Sequence, residues 1–301
     1  SKDFFYGGDR SKWIKFANTL ELKLRIQRKL VADPSDAAAI NSLISAGNLI
    51  TTKADDFQFK YSTTQSNPDS RHPVFADNYN AAADVADYMS NSYMAEVTGK
   101  TVVDPRALYY FYRQSDDAED GDENEMPCSS EARPSHYAPT DVFCYIGYLN
   151  SNVSSIGYWG RDHGDNDGIP PDGGLRTSFG LYPVGGKFDD GSATSVSGRS
   201  DGLAGAGISP IFLSSFTHFM IAEWQTQQGI DARATLEAGI RLSLDKVINF
   251  ASDSGNPAAA AAAQDFTSEI ETYVEHVCGA SNAASLWATS TDKMDLIVRE
   301  Y

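Results

Sequence analysis

Apolar residues recur at helical spacing from the start of the chain. Trp13, Phe16, Ala17, Leu20, Leu24 and Ile26 fall near one face of a helix predicted over Asp9–Leu30, with Lys12, Lys15, Lys23, Arg25, Arg28 and Lys29 largely elsewhere. Asp9 or Ser11 can cap its N-terminus. Pro34 then opens a second helix through Ala46, with Asp33 as N-cap, so the two read as a helical hairpin. Phe57–Thr63 alternates aromatic and polar residues, as a strand or extended segment does. Asn78–Ser92 is predicted as a short helix. The dense run Leu108–Tyr112 reads as a buried strand or extended piece. Helical spacing returns over Ile211–Gln227 and over Ala232–Phe250, where Leu236, Ile240, Leu244 and Val247 repeat. Gly229 separates this pair, which has the lengths of one tetratricopeptide unit, although no 34-residue period runs through the chain. Ala258–Cys278 and Ser290–Tyr301 are predicted as further helices.

Between these helical parts the pattern breaks. Asp104–Pro210 carries seventeen acidic and seven basic residues, more than half of the net charge of −17, and fifteen of the 24 glycines lie between Gly147 and Gly207. Asp116–Glu125 is an acidic run of the kind that forms a solvated loop tip. The expectation is a mostly α fold: one domain over residues 1–301, helical over 1–103, a long irregular loop-rich insert over 104–208, and helical again over 209–301.

Charge narrows the partners. A pI near 4.6 disfavours nucleic acid, whose phosphates need a basic face. No run of eighteen apolar residues is present to span a membrane. The start, SKDFFYGGD, and the end, MDLIVREY, both read like the interior of a protein, so the chain is expected to be cut at both ends. Cys128 and Cys144 flank a loop-rich stretch. A disulfide there would stabilise by roughly 3 kcal/mol, and two buried free thiols are the equal alternative. No Cys-x-x-Cys pair suggests zinc.

Four blocks together carry a family resemblance: YGGDRSKWIKFANTLELKLRIQRKL; DPRALYYFYRQ; DHGDNDGIPPDGG followed by GLYPVGGKFDD; and FMIAEW with ARATLEAGIRLSLDKV. In content and order they resemble the SusD/RagB family, on the SusD-like branch of uncertain substrate. That resemblance implies a helical scaffold with tetratricopeptide-like hairpins and loop-rich excursions that bind ligand. It implies a lipoprotein on the outer-membrane surface, held by an N-terminal lipid anchor that is absent from this chain. It also implies a lid on a SusC-like TonB-dependent transporter that receives glycan or peptide, and a binding protein rather than an enzyme.

The segment Tyr158–Thr177, YWGRDHGDNDGIPPDGGLRT, draws the chemistry. It holds two aromatics, one His, four Asp and five Gly, and its Asp-Asn-Asp-Gly, Pro-Pro and Gly-Gly signals exclude a regular helix or strand. Sugar sites mix an apolar face with a few placed polar groups. Tyr158, Trp159, Arg161, Asp162 and His163 supply that mixture within six residues and are the candidate ligand contacts, with Tyr145 and Tyr148 close in sequence. The alternative is that Tyr158 and Trp159 anchor a Gly-rich loop to the core. A calcium site is a second reading. His163, Asp165, Asp167 and Gly168 fit an EF-hand register only with His first, and Gly174 stands where a bidentate Glu is required. An irregular cage of Asp162, Asp165, Asp167 and Asp172 is what is left of it, against turn-capping aspartates. No cofactor is otherwise implied. Hydrolase signatures such as G-x-S-x-G and H-E-x-x-H are missing, while a glycoside-active enzyme would need a paired set of carboxylates. A helical protein-interaction scaffold is the remaining alternative.

Overall fold

The computed structural model describes residues 2–28, 31, 34–79, 87–98, 101–114, 158, 160, 176–196, 198–255 and 265–301. In chain order the elements are α1 (Arg10–Gln27), α2 (Pro34–Ala46), β1 (Phe57–Lys60), α3 (Pro73–Asn78), α4 (Asn91–Thr98), α5 (Ala107–Tyr110), β2 (Phe111–Tyr112), β3 (Ser178–Phe179), β4 (Ile208–Phe212), α6 (Ser214–Gln227), α7 (Arg233–Ile248), α8 (Phe250–Asp253), α9 (Thr267–Cys278), α10 (Leu286–Thr289) and α11 (Lys293–Glu300). The fold is mostly α, as the hydrophobic pattern predicts. No helix among the described residues is long and apolar enough to cross a membrane. The chain divides into two compact units, the first made of Ser1–Lys60, Ser209–Lys246 and Ile270–Tyr301, the second of Tyr61–Ile208 and Val247–Glu269.

In the first unit, the Asp9 carboxylate accepts the N–H groups of Ser11 (2.9 Å) and Lys12 (3.4 Å) and so starts α1. The buried stripe of α1 is Thr19, Leu22 and Ile26. This corrects the predicted face, because Leu24 is 53% exposed. Leu24 lies two residues past Leu22, about 200° round the helix axis, and cannot share its stripe. Arg25 reaches Asp36 of α2 at 2.7 Å, and the Thr19 hydroxyl accepts the Ile50 N–H at 2.9 Å. β1 pairs with β4, and Asp56 accepts the first N–H of α6, that of Ser214, at 2.7 Å. The resulting core joins Leu22, Ile26, Ile40, Leu49, Ile50, Phe57, Phe212, Met220 and Trp224. The Trp224 indole N–H is satisfied inside it by Asn41 Oδ1 at 2.9 Å. Lys246 is buried against the Asp56 carboxylate (2.9 Å) and donates to Gln58 Oε1 (2.6 Å), which keeps both charges satisfied. Cys278 is a buried free thiol, its pKa pushed up to about 12 chiefly by burial. Before α1, Asp3 accepts the N–H groups of Phe5 and Gly8 and the indole N–H of Trp13, and the Trp13 bond is the main cause that lowers its pKa to about 2.

In the second unit, β2 and β3 pair antiparallel with Phe111 opposite Phe179 and Tyr112 opposite Ser178. Phe75, Tyr79, Tyr112, Val184 and Val196 pack as its core. The fully buried Tyr79 stacks on Phe75 at 4.4 Å; its hydroxyl donates to the Phe179 carbonyl (2.6 Å) and accepts the Lys187 N–H (2.8 Å). Three predicted elements are redrawn. Leu108–Tyr112 is buried at Tyr109, Phe111 and Tyr112 but splits into the turn of helix α5 and then β2, because the Asp104 carbonyl accepts the Ala107 N–H (3.0 Å) and its carboxylate accepts the Arg106 N–H (3.0 Å), winding the chain before it extends. Asn78–Ser92 is not one helix: α3 ends at Asn78, residues 87–89 are irregular, and α4 starts at Asn91. Of the helix predicted over Ala258–Cys278, residues 258–264 lie outside the described residues, and the described helix starts at Thr267, whose N–H is accepted by Asp265 at 3.0 Å.

His72 precedes α3 with its ring edge-on to Tyr61 at 4.8 Å, and its Nδ1 has no hydrogen-bond partner among the described residues. Burial lowers its pKa below the ordinary 6.5, opposed by a hydrogen bond to the Ile208 backbone. The unfolded chain therefore takes up the proton more readily than the folded one. Stability is expected to be full above pH 6.5 and to decline as the pH falls below it. Urea unfolding at about pH 7.5 and about pH 5.5 measures this loss. The loss should shrink in His72→Phe; an equal loss in both proteins would exclude His72 as its source.

Candidate functional site

Of the predicted ligand contacts, Tyr158 is the one whose position is described. Trp159, Arg161, Asp162 and His163, with Asp165, Asp167 and Asp172 of the calcium reading, lie outside the described residues. So do Tyr145, Tyr148, Cys128 and Cys144. Tyr158 is only 1% exposed. Its ring meets Phe111 edge-on at 6.2 Å and lies under the Arg113 guanidinium at 5.1 Å. It occupies the anchoring position that the sequence left open as the alternative to a ligand-facing one. Burial pushes its hydroxyl pKa up, as does the charge of Asp189, and the oxygen has no hydrogen-bond partner among the described residues.

The surroundings of Tyr158 are built by β2 and the chain that follows it. Arg113 donates from Nε to Asp189 Oδ2 at 2.6 Å and from Nη2 to Asp189 Oδ1 at 3.1 Å. Asp189 also accepts the Gly191 N–H at 3.0 Å. Both side chains are at least nine-tenths buried, so the pair is a closed two-pronged fork whose charges cancel. Gln114 bridges two neighbouring segments: its amide donates to the Arg176 carbonyl and its oxygen accepts the Val196 N–H, both at 2.8 Å. Tyr112 bonds Thr194 at 2.8 Å and lies under Lys187 at 4.2 Å. One turn before β2, Arg106 forks onto Asp104 at 2.9 and 2.6 Å, again buried. The carboxylates buried in this unit among the described residues, Asp104 and Asp189, are thus bound to guanidinium groups. They serve as rigid acceptors, an arrangement that fixes a surface and holds it still. No group of three or more metal-ligating side chains occurs among the described residues.

On the outer side of this arrangement stands Tyr93 of α4, 48% exposed, with its ring edge-on to Phe111 at 5.5 Å. Sequence reasoning passed over it. It lies one residue beyond the helix predicted over Asn78–Ser92, beside Met94, which is fully buried.

Comparison with known proteins agrees with this architecture. The family model SusD-like_2, described as starch-binding associating with outer membrane, matches residues 1–140. A SusD homologue of Parabacteroides distasonis has the same fold over 99% of this chain and 50% of its own, at 20% identity and a TM-score of 0.55. An outer membrane protein of Bacteroides vulgatus, described in connection with nutrient binding, matches over 100% and 54% at 17% identity and a TM-score of 0.57. A SusD homologue of Bacteroides fragilis matches over 99% and 52% at 17% identity and a TM-score of 0.55. No curated protein matches the chain. The chain spans about half the length of these solved relatives. Association with the outer membrane comes with the family description. The first 140 residues thus match the SusD-like family model, and the fold along the chain is that of solved SusD homologues.

Proposed function

We propose that this chain is the ligand-capturing part of a surface lipoprotein that binds oligosaccharide, with peptide as the alternative cargo, and passes it to a SusC-like TonB-dependent transporter. The observation that carries this reading is the match of residues 1–140 to a family described as starch-binding, on a chain with the SusD fold along its length. The buried Asp–Arg forks support binding without catalysis, because glycoside hydrolysis needs a carboxyl group free to donate a proton beside a second carboxylate. In this proposal Trp159, Arg161, Asp162 and His163 supply aromatic and polar contacts, and Tyr158 fixes the root of their segment. Capture by ring stacking and hydrogen bonding requires no cofactor and no calcium.

The test is calorimetry of the purified chain against a panel of α-glucan, β-glucan, xylan and mannan oligosaccharides and mixed short peptides, with chromatography of each sugar afterwards. Binding of one glycan class with the sugar recovered intact is expected. Absence of binding to every sugar, or release of shortened products, would overturn the reading. Co-purification of a transporter with the full-length protein from its own membrane tests the partner.

A further inference from the structure

Among the described residues of the second unit, the aromatic side chains are buried or half-buried with one clear departure. Tyr79, Tyr109, Tyr112, Tyr158, Phe75 and Phe111 are fully buried. Tyr93 alone, among the large apolar side chains described in this unit, is exposed. One face of the helix that carries it is well buried, since Met94 and Thr98 are fully enclosed and Val97 nearly so. Tyr93 is one residue, about 100°, away from Met94 and points off that face.

The exposed ring is firmly backed. It rests on Phe111, which meets Tyr158, which lies under the guanidinium of Arg113 in its fork with Asp189. Burial raises the pKa of the Tyr93 hydroxyl, with smaller opposed effects from Arg106 and Asp104. The neighbours of that ring are polar. Ser90 and Ser92 precede it, their hydroxyls 2.9 Å apart, and Glu96 lies one turn further along the same face of α4. A protein-docking surface would gather several apolar side chains into one patch. A single rigid aromatic face with hydroxyl and carboxylate groups beside it matches a pyranose ring, whose C–H face is drawn to the electron-rich ring face while its hydroxyls seek polar partners.

Resting on the glycan-capture reading above, we infer that Tyr93 is a stacking platform for one sugar ring of the captured oligosaccharide. The platform binds by its flat face; the side-chain hydroxyl is not the contact.

The experiment uses the same four oligosaccharide classes and takes forward the sugar that binds the unaltered chain most tightly. Tyr93→Ala is expected to weaken its affinity by about fivefold or more. Tyr93→Leu, which keeps apolar bulk and helix propensity but has no flat face, should show a similar loss and decides the matter if the alanine variant folds poorly. Tyr93→Phe should recover most of the binding lost in Tyr93→Ala. Unchanged affinity in both the alanine and leucine variants, with the unaltered chain binding sugar, overturns the platform and leaves glycan capture standing. Failure of the unaltered chain to bind any of the four classes overturns glycan capture and the platform with it. Loss of transporter co-purification with sugar affinity unchanged assigns Tyr93 to a protein contact instead and overturns the platform.

Discussion

Asp189→Ala is expected to destabilise the protein by about 3–5 kcal/mol, because it leaves a buried guanidinium without its counter-charge. The two side chains are 6% and 1% exposed, and the shorter of their two bonds is 2.6 Å. The substitution also removes the acceptor of the Gly191 N–H. Arg113 would then lie over the Tyr158 ring with its charge uncompensated, and the ring alone offsets only about 1–2 kcal/mol. The sign of the effect is tested by replacing both partners: Arg113→Met with Asp189→Leu should recover much of the loss, since an apolar pair of similar volume needs no desolvation. Urea unfolding of the single and double variants measures both quantities. A single-variant loss below about 1 kcal/mol would show that solvent reaches the pair.

Gly202→Ala is expected to cost about 3 kcal/mol or more, and to reduce soluble expression. Gly202 has φ +57°, and a Cβ built on it would lie 1.8 Å from the Gly186 carbonyl oxygen and 2.8 Å from the Lys187 nitrogen. Both are backbone atoms of the turn that Tyr79 clasps, so they cannot swing aside as a side chain would. The left-handed backbone adds about 1–2 kcal/mol to the overpacking. Gly191→Ala separates the two contributions. Its φ of +75° is similar, but nothing lies within 4 Å of a Cβ there, so only the conformational part, about 1–2 kcal/mol, should appear. Equal losses in thermal or urea unfolding would show that the close approach at Gly202 relaxes at no cost.

Where local chemistry decides a boundary, the sequence was read well. Asp9 starts α1 and Pro34 opens α2, and Gly229, at φ +70°, separates the two helices predicted on either side of it. Where tertiary contacts decide, the pattern misled. Leu24 is apolar and regularly spaced, yet the inward stripe is set by Thr19, a polar residue that earns its burial by bonding Ile50. In Leu108–Tyr112 the β-forming aromatics were weighed above the turn that Asp104 winds just before them. The site was legible in part. Tyr158 was singled out from its loop, but whether an aromatic faces solvent or core depends on what lies beneath it. Phe111 and Arg113 are 47 and 45 residues away in sequence. Tyr93 left no periodic signal, since an exposed tyrosine and a buried one look alike in a short helix.

The placing of the indoles has an optical consequence. Trp13, Trp224 and Trp287 all belong to the first unit, and of the four tryptophans only Trp159 falls in the range of the second. A Trp159→Phe protein would therefore carry every tryptophan in one unit. Its emission would follow the melting of that unit, with Trp224, enclosed and bonded to Asn41, as the chromophore most shifted on exposure to water. The tyrosine-rich second unit would be followed by near-ultraviolet dichroism instead, so the two units can be watched separately in one sample.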